Sequence, residues 1–175
     1  ANQGQICLCG SRIFVERSIY EKFKTDFVAK TQKLTVGAPM NEKTKIGAVV
    51  SKPHMEKILS YVELAKQEGG KVLCGGKQAK MSGEFEHGYY LEPTIIENLS
   101  YDCRTNQEEI FGPIMPIVTV NDVHDAIDYI NARDKPLSMY IFTNNTKDKS
   151  LMIASTSAGA ICVNDTVQHF ASNIP

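Results

Sequence analysis

The sequence predicts an α/β domain built on a largely parallel sheet. Three observations predict it. Short apolar runs of strand character alternate with amphipathic segments of helical period along most of the chain. The 175 residues, 42% hydrophobic and 22% charged, suffice for a single domain with a real core. No internal repeat, low-complexity stretch or linker interrupts the pattern.

The elements follow in order. "SRIFVE" (11–16) alternates apolar and polar residues and reads as a strand. Ser18 is placed to cap the helix over 18–34, with Glu21 three residues on as a capping box, and Ile19, Phe23, Phe27 and Val28 mark its apolar face. Residues 36–51 are loop by their Gly and Pro content and lack a phosphate-cradling glycine pattern. A second helix begins near Ser51, with Pro53 in its first turn. Met55, Ile58, Leu59, Val62 and Ala65 form its stripe, and Gly69–Gly70 ends it. "KVLCGG" (71–76) reads as a short buried strand, 77–88 as a polar surface loop, and 89–99 as strand again. "RTNQEEIFGP" (104–113) is loop and "IMPIVTV" (114–120) is strand. Asn121 or Asp122 caps a helix over 123–133. A strand over 137–143, a helix over 147–158 and a last strand over 159–165 complete the pattern, with a polar tail behind.

Bulk properties exclude several roles. A formal net charge of −1 gives no electrostatic case for nucleic acid or an anionic membrane. No apolar run reaches membrane-spanning length. The five cysteines, Cys7, Cys9, Cys74, Cys103 and Cys162, are odd in number and irregular in spacing. That argues against a disulfide framework and for a reducing compartment, with the cytoplasm as the expected location. The four histidines are scattered, and no Cys or His pair completes a metal site with Cys7 and Cys9. The first residue falls inside a motif, so the chain reads as part of something longer.

Ligands of open α/β sheets sit in loops outside the carboxyl ends of strands. Three stretches there are not required by a core: the Cys7 turn, the "EEIFGP" loop and the segment after the last strand. Gly4 lets the backbone turn sharply before Cys7, and Asn2, Gln3 and Gln5 suit a partly solvated site. A thiolate is a strong nucleophile, and backbone N–H groups of such a turn can face an oxyanion. A small buried thiol is the other reading. In an extended stretch Cys9 faces the same side as Cys7, and Leu8 reads as core. Glu108–Glu109 stand beside Ile110–Phe111. A carboxylate next to an aromatic suits a ribose and a flat heterocycle, and it equally suits a solvated charge pair beside a core ring.

With these residues in hand, a family resemblance becomes specific. "NQGQIC" with "SRIFVE", and "EEIFGP" about a hundred residues later, resemble the two hallmark motifs of the aldehyde dehydrogenase superfamily. "EKILSYVELAKQEGGKVLCGG", "GYYLEPTII", "INARDKPLSMYIFT" and "GAICVNDTVQHFASNIP" are similar as well, so the resemblance covers the whole chain. It implies a three-layer catalytic domain with a twisted sheet and helices on both faces. It implies NAD(P)-dependent oxidation of an aldehyde to an acid, with Cys7 as the nucleophile forming a thiohemiacetal and then a thioester. It implies that Glu109 holds the nicotinamide ribose and that Phe111 packs near the nicotinamide. His54 and Lys57 fall where the family helix approaches the other ribose, and Asn164, His169 and Phe170 fall in the loop that shapes the substrate tunnel. No metal is implied, and the full enzyme is expected to be a homo-oligomer.

The resemblance also carries departures. The family's dinucleotide-binding domain, with its glutamate base, its oxyanion asparagine and its phosphate-binding residues, is not within residues 1–175, nor is the oligomerisation strand. These residues are therefore expected to form a single catalytic domain that does not turn over in isolation. Up to about Phe111 the chain resembles the tetrameric, semialdehyde-oxidising cytosolic classes. From about Pro113 it resembles the dimeric class-3-like members, through "PIVTV", "RDKPL" and "VNDTVQH". Natural divergence and an engineered chimera both produce such a mosaic. A non-catalytic structural or interaction module is the alternative function. Some relatives make acyl-CoA or reduce acyl phosphates through the same cysteine, while these two motifs favour the hydrolytic dehydrogenases.

Overall fold

A computed structural model describes residues 2–168. The described residues form strands β1 (Ile13–Glu16), β2 (Lys71–Cys74), β3 (Thr94–Glu97), β4 (Ile114–Val120), β5 (Ser138–Ile141) and β6 (Ala160–Val163). The helices are α1 (Tyr20–Thr31), α2 (Lys52–Gln67), α3 (Arg104–Gln107), α4 (Val123–Asn131) and α5 (Thr146–Ser155). The strands make two sheets rather than one. The larger has the order β1-β4-β3-β2, and β5 pairs with β6 in the smaller. β1 and β3 run parallel to β4, with Ile13 beside Ile117 and Thr94 beside Ile114. β5 and β6 are also parallel, joined through α5 as a βαβ unit. The β2–β3 pair alone is antiparallel, so the fold is α/β with a mostly parallel sheet, as expected.

Alternation along β3 explains the layering. Successive residues of a strand point to opposite faces. Ile95 packs with Val15 and Ile117, backed by Tyr20, Phe23, Phe27 and Val28 at α1. Ile96 packs on the other face with Ile114 and with Met55, Ile58, Val62 and Ala65 of α2. One helix therefore covers each face of the four-stranded sheet. A third cluster joins Ile127 of α4 to Met139 and Ile141 of β5 and Met152 of α5. Phe14 meets Tyr129 edge-to-face at 4.8 Å and ties α4 to β1. Fully burying each such side chain contributes about 1.5–3 kcal/mol.

The α2 and α4 termini follow the chemistry read from the chain. Ser51 accepts from the His54 N–H at 3.3 Å to start α2, and Gly69, at φ 87°, ends it. Asp122 accepts from the N–H groups of His124 and Asp125 to start α4. At α1 the expectation is corrected. A 3-10 turn over Arg17–Ile19 precedes the helix, and Ser18 donates to the Glu16 carboxylate at 2.6 Å instead of capping. Ile19 is left 57% exposed and off the apolar face. α1 is held instead through Glu97, which is buried and accepts from Tyr20 Oη at 2.6 Å and pairs with Lys24 at 3.2 Å.

Two further expectations change. "KVLC" is a half-buried edge strand, not a buried one, because β2 has a strand on one side only. Residues 104–107 form one helical turn where loop was expected, because Glu68 caps their free N–H groups. No helix among the described residues is long and apolar enough to cross a membrane.

Candidate active site

The cysteine turn is built from inside outward. Gln3 and Gly4 both take positive φ, 54° and 75°, which folds the chain back sharply. The Cys9 N–H donates to Ile6 O at 2.9 Å and closes a turn with Cys7 and Leu8 at its centre. Leu8 is buried and Cys7 is exposed, so the apolar neighbour anchors the turn and the thiol is presented. Tyr140 of β5 donates to Leu8 O at 2.7 Å and braces it from below. The turn corrects one expectation, since the stretch is not extended and Cys9 is half-buried rather than sharing the exposure of Cys7. Gln3 and Gln5 do not solvate the site either. Gln3 donates to Ala48 O at 2.9 Å, and Gln5 accepts from the Val50 N–H at 3.1 Å, so both tether the turn to the loop before α2.

The loop over 108–113 separates its two acids. Glu108 is bound by Arg104 at 2.6 Å and by the Tyr61 hydroxyl. The Arg104 guanidinium, with the Tyr61 hydroxyl, holds the Glu108 carboxyl below its usual range. The same bond pushes the Tyr61 phenol up. Glu109 is exposed and has no side-chain partner among the described residues. Ile110 is core. Phe111 is half-buried and adopts φ 61°, a left-handed conformation that a bulky residue rarely takes. Its carbonyl lies 2.8 Å from His54 Nε2. A carbonyl only accepts, so Nε2 carries the proton.

The two stretches meet backbone to backbone. A β-carbon at Gly4 would stand 2.1 Å from Gly112 O, and one at Gly112 would stand 2.6 Å from Ile58 Cδ1. Only glycine permits this stack of turn, loop and helix. Arg12 locks the same pair of segments, with its guanidinium donating to Asn106 O and, at 2.6 Å, to Gln107 O. Arg12, Tyr61 and Tyr140 were not legible as site residues.

The site lies at the amino ends of the strands, not at their carboxyl ends. The Cys7 turn leads into β1 and the 108–113 loop into β4, and these strands are parallel. The remaining candidates are more distributed. Lys57 is exposed on α2, with its ammonium 5.8 Å from the Tyr61 ring centre. Asn164 follows β6 and spends both side-chain atoms on the backbone of Thr143, at 2.9 and 3.1 Å, clasping the ends of the two-stranded sheet. His169 and Phe170 lie outside the described residues. Among the described residues no three His, Cys, Asp or Glu side chains converge as a metal site.

An exposed thiol on a glycine-permitted turn thus sits against a loop that carries Glu109, without a side-chain partner among the described residues, and the half-buried Phe111. Comparison with known proteins covers the whole chain. The aldehyde dehydrogenase family pattern matches residues 1–175. The 4-trimethylaminobutyraldehyde dehydrogenase B of Danio rerio is 36% identical over 165 residues, which is 94% of this chain and 32% of that protein. The human 4-trimethylaminobutyraldehyde dehydrogenase is 34% identical over 164 residues, 93% of this chain and 33% of that protein. The betaine aldehyde dehydrogenase of Staphylococcus aureus, solved in complex with NAD+, superposes with a TM-score of 0.88 at 31% identity, over 94% of this chain and 33% of that one. A second Staphylococcus aureus structure, a double mutant with NAD+ and a BME-modified cysteine, gives a TM-score of 0.89. The chain spans about a third of the length of these relatives. Because the family pattern spans residues 1–175, the chain belongs to the aldehyde dehydrogenase family.

Proposed function

We propose that this chain is the cysteine-bearing catalytic domain of an NAD(P)-dependent aldehyde dehydrogenase, which oxidises an aldehyde to a carboxylic acid. The observation that carries the proposal is the Gly4–Gly112 contact, which sets the exposed Cys7 turn against the Glu109–Phe111 loop.

The residues suit one end of a nicotinamide dinucleotide. The Glu109 carboxylate, without a side-chain partner among the described residues, offers acceptors to a vicinal diol, and the half-buried Phe111 supplies an aromatic ring. When bound, NAD(P) supplies the hydride acceptor. In this reading Lys57, with His54 Nδ1, faces the second ribose, and Asn164 shapes the aldehyde entrance together with His169 and Phe170.

The chemistry at Cys7 follows from thiol reactivity. The thiolate sulfur bonds to the aldehyde carbon, and the carbonyl electron pair moves to oxygen. The N–H groups of Cys7 and Leu8 have no hydrogen-bond acceptor among the described residues and stabilise that oxyanion. Collapse of the alkoxide expels hydride from carbon and leaves a thioester on Cys7. Water adds to the thioester, the C–S bond breaks, and carboxylate, the thiolate and two protons are released. The odd count and irregular spacing of the cysteines favour a reducing compartment, and the cytoplasm is proposed as the location. The full-length protein is proposed to be a homo-oligomer.

The test uses the complete polypeptide that carries this segment. Cys7→Ser is expected to lower aldehyde-dependent formation of reduced nicotinamide by about 10³-fold or more. Glu109→Gln is expected to raise the cofactor KM. Retained turnover in Cys7→Ser would remove Cys7 from the mechanism.

A further inference from the structure

α2 touches the 104–111 segment at three points spaced seven residues apart. Glu68, at the C-terminal cap of α2, accepts from the N–H groups of Arg104 and Thr105 at 2.8 and 3.2 Å, and from the Thr105 hydroxyl at 2.6 Å. Tyr61 donates to the Glu108 carboxylate. His54 donates to Phe111 O at 2.8 Å. Residues 54, 61 and 68 fall on one stripe of a helix, since seven residues are close to two turns. Their partners run the other way, at 111, 108 and 104–105, so helix and segment lie antiparallel.

We propose that α2 is a three-point clamp, with His54, Tyr61 and Glu68 as positioning residues that set Glu109 and Phe111 for the dinucleotide; this rests on the reading that Glu109 and Phe111 meet the cofactor. The middle point decides the aim of Glu109. Glu108 is extended, at φ −87° and ψ 151°, and successive side chains of an extended chain point to opposite sides. Pinning Glu108 toward α2 turns Glu109 outward. The end points fix the span. Glu68 seats the helical turn that starts the segment, and His54 holds the carbonyl of Phe111 while its φ is left-handed. Ile110 is buried between the last two points. Glu109 is thereby the residue of the loop whose side chain is left to bind something else. His54 holds Phe111 through Nε2, in addition to the place beside the second ribose proposed above for Nδ1.

The test pairs exchange with binding in the complete polypeptide. Tyr61→Phe removes one hydroxyl and keeps the ring. Hydrogen–deuterium exchange at 108–112 is expected to rise on the order of tenfold, with exchange across α2 unchanged. The calorimetric NAD+ dissociation constant is expected to weaken by a similar factor, while kcat at saturating cofactor stays near that of the parent. His54→Gln keeps an N–H donor and is expected to bind NAD+ more tightly than His54→Ala. Glu108→Gln keeps an acceptor for Tyr61 and is expected to be milder than Glu108→Leu. Unchanged exchange at 108–112 in Tyr61→Phe would overturn the clamp. Raised exchange with unchanged NAD+ affinity would overturn its role toward the cofactor. Glu109→Gln separates the two readings: if it too leaves NAD+ binding unaltered, the site reading has failed and the clamp's function falls with it.

Discussion

Gly4 rests on Gly112 so closely that a β-carbon at position 4 would lie 2.1 Å from the Gly112 carbonyl oxygen. The opposing atom is backbone and cannot rotate away. Gly4 also holds φ 75°, where an L side chain is strained in its own right. The contact sets the thiol turn against the carboxylate loop, so stability and the geometry of both stretches are expected to fail together.

Gly4→Ala is therefore expected to cost about 2–4 kcal/mol of stability and to move the turn off the loop. Chemical denaturation checks the first expectation. Peptide-level hydrogen exchange checks the second, with faster exchange expected at both 2–10 and 108–113. A variant of parent stability with unaltered exchange would show that the two stretches do not depend on each other.

Cysteine labelling is expected to follow exposure and burial in a set order. Cys7 is exposed and Cys162 is buried. Burial pushes the Cys74 and Cys103 thiols up from their usual value. Alkylation needs the thiolate, so a raised thiol stays protonated to higher pH. As pH rises, Cys7 is expected to label first, with Cys74 and Cys103 lagging until the solution is more alkaline. Peptide mass spectrometry across a pH series reads this directly. Cys74 or Cys103 reacting ahead of Cys7 would contradict the turn geometry.

Arg12 is expected to be irreplaceable by lysine. Its planar fork reaches two successive carbonyls, Asn106 O and Gln107 O, at the end of α3. A lysine carries a single ammonium and cannot reproduce that geometry. Arg12→Lys is expected to lose about 1–2 kcal/mol, read from urea unfolding. Losing nothing would mean that the fork does not secure α3 to β1.

Much of this was legible in the chain, for physical reasons. α2 is legible through Ser51, Pro53, its Met55-to-Ala65 stripe and Gly69, because caps, period and stop are all local. The residue types of the two motif stretches suit chemistry and packing alike, and the family resemblance is what marks them as a site. The rest does not follow from pattern alone. Strand period does not name a strand's partner, so the sequence neither separates two sheets from one nor marks β2 as an edge. Ser18 looked like a cap, but the Glu16 carboxylate competed successfully for its hydroxyl. The rule of carboxyl ends pointed to the wrong side of the sheet, because the Gly4–Gly112 contact gathers the segments entering β1 and β4. Arg12 and Tyr61 act through partners about 95 and 47 residues away, which no window of sequence spans.

The buried carboxylate on β3 sets the last expectation, an acid limit to stability. Burial alone would push the Glu97 carboxyl up, but hydrogen bonds from Tyr20 and Lys24, with the charges of Lys24 and Lys71, outweigh it and hold the carboxyl below its usual value. Glu68 is held down in the same way by Thr105 and Arg104 against its own burial. A carboxyl whose value is lower folded than unfolded binds its proton more readily in the unfolded chain. Its contribution is complete above the unfolded value of about 4.3 and is lost as pH falls through the folded one. Stability is therefore expected to hold down to about pH 5 and to fall steeply below about pH 4. Glu97→Gln keeps an acceptor for Tyr20 but removes the charge that Lys24 and Lys71 face. It is expected to be less stable than the parent by about 1–3 kcal/mol at neutral pH and to show a shallower acid limb. Urea midpoints between pH 3 and 7 measure both. Parallel acid limbs in parent and variant would show that Glu97 is not the group whose protonation loosens α1 from the sheet.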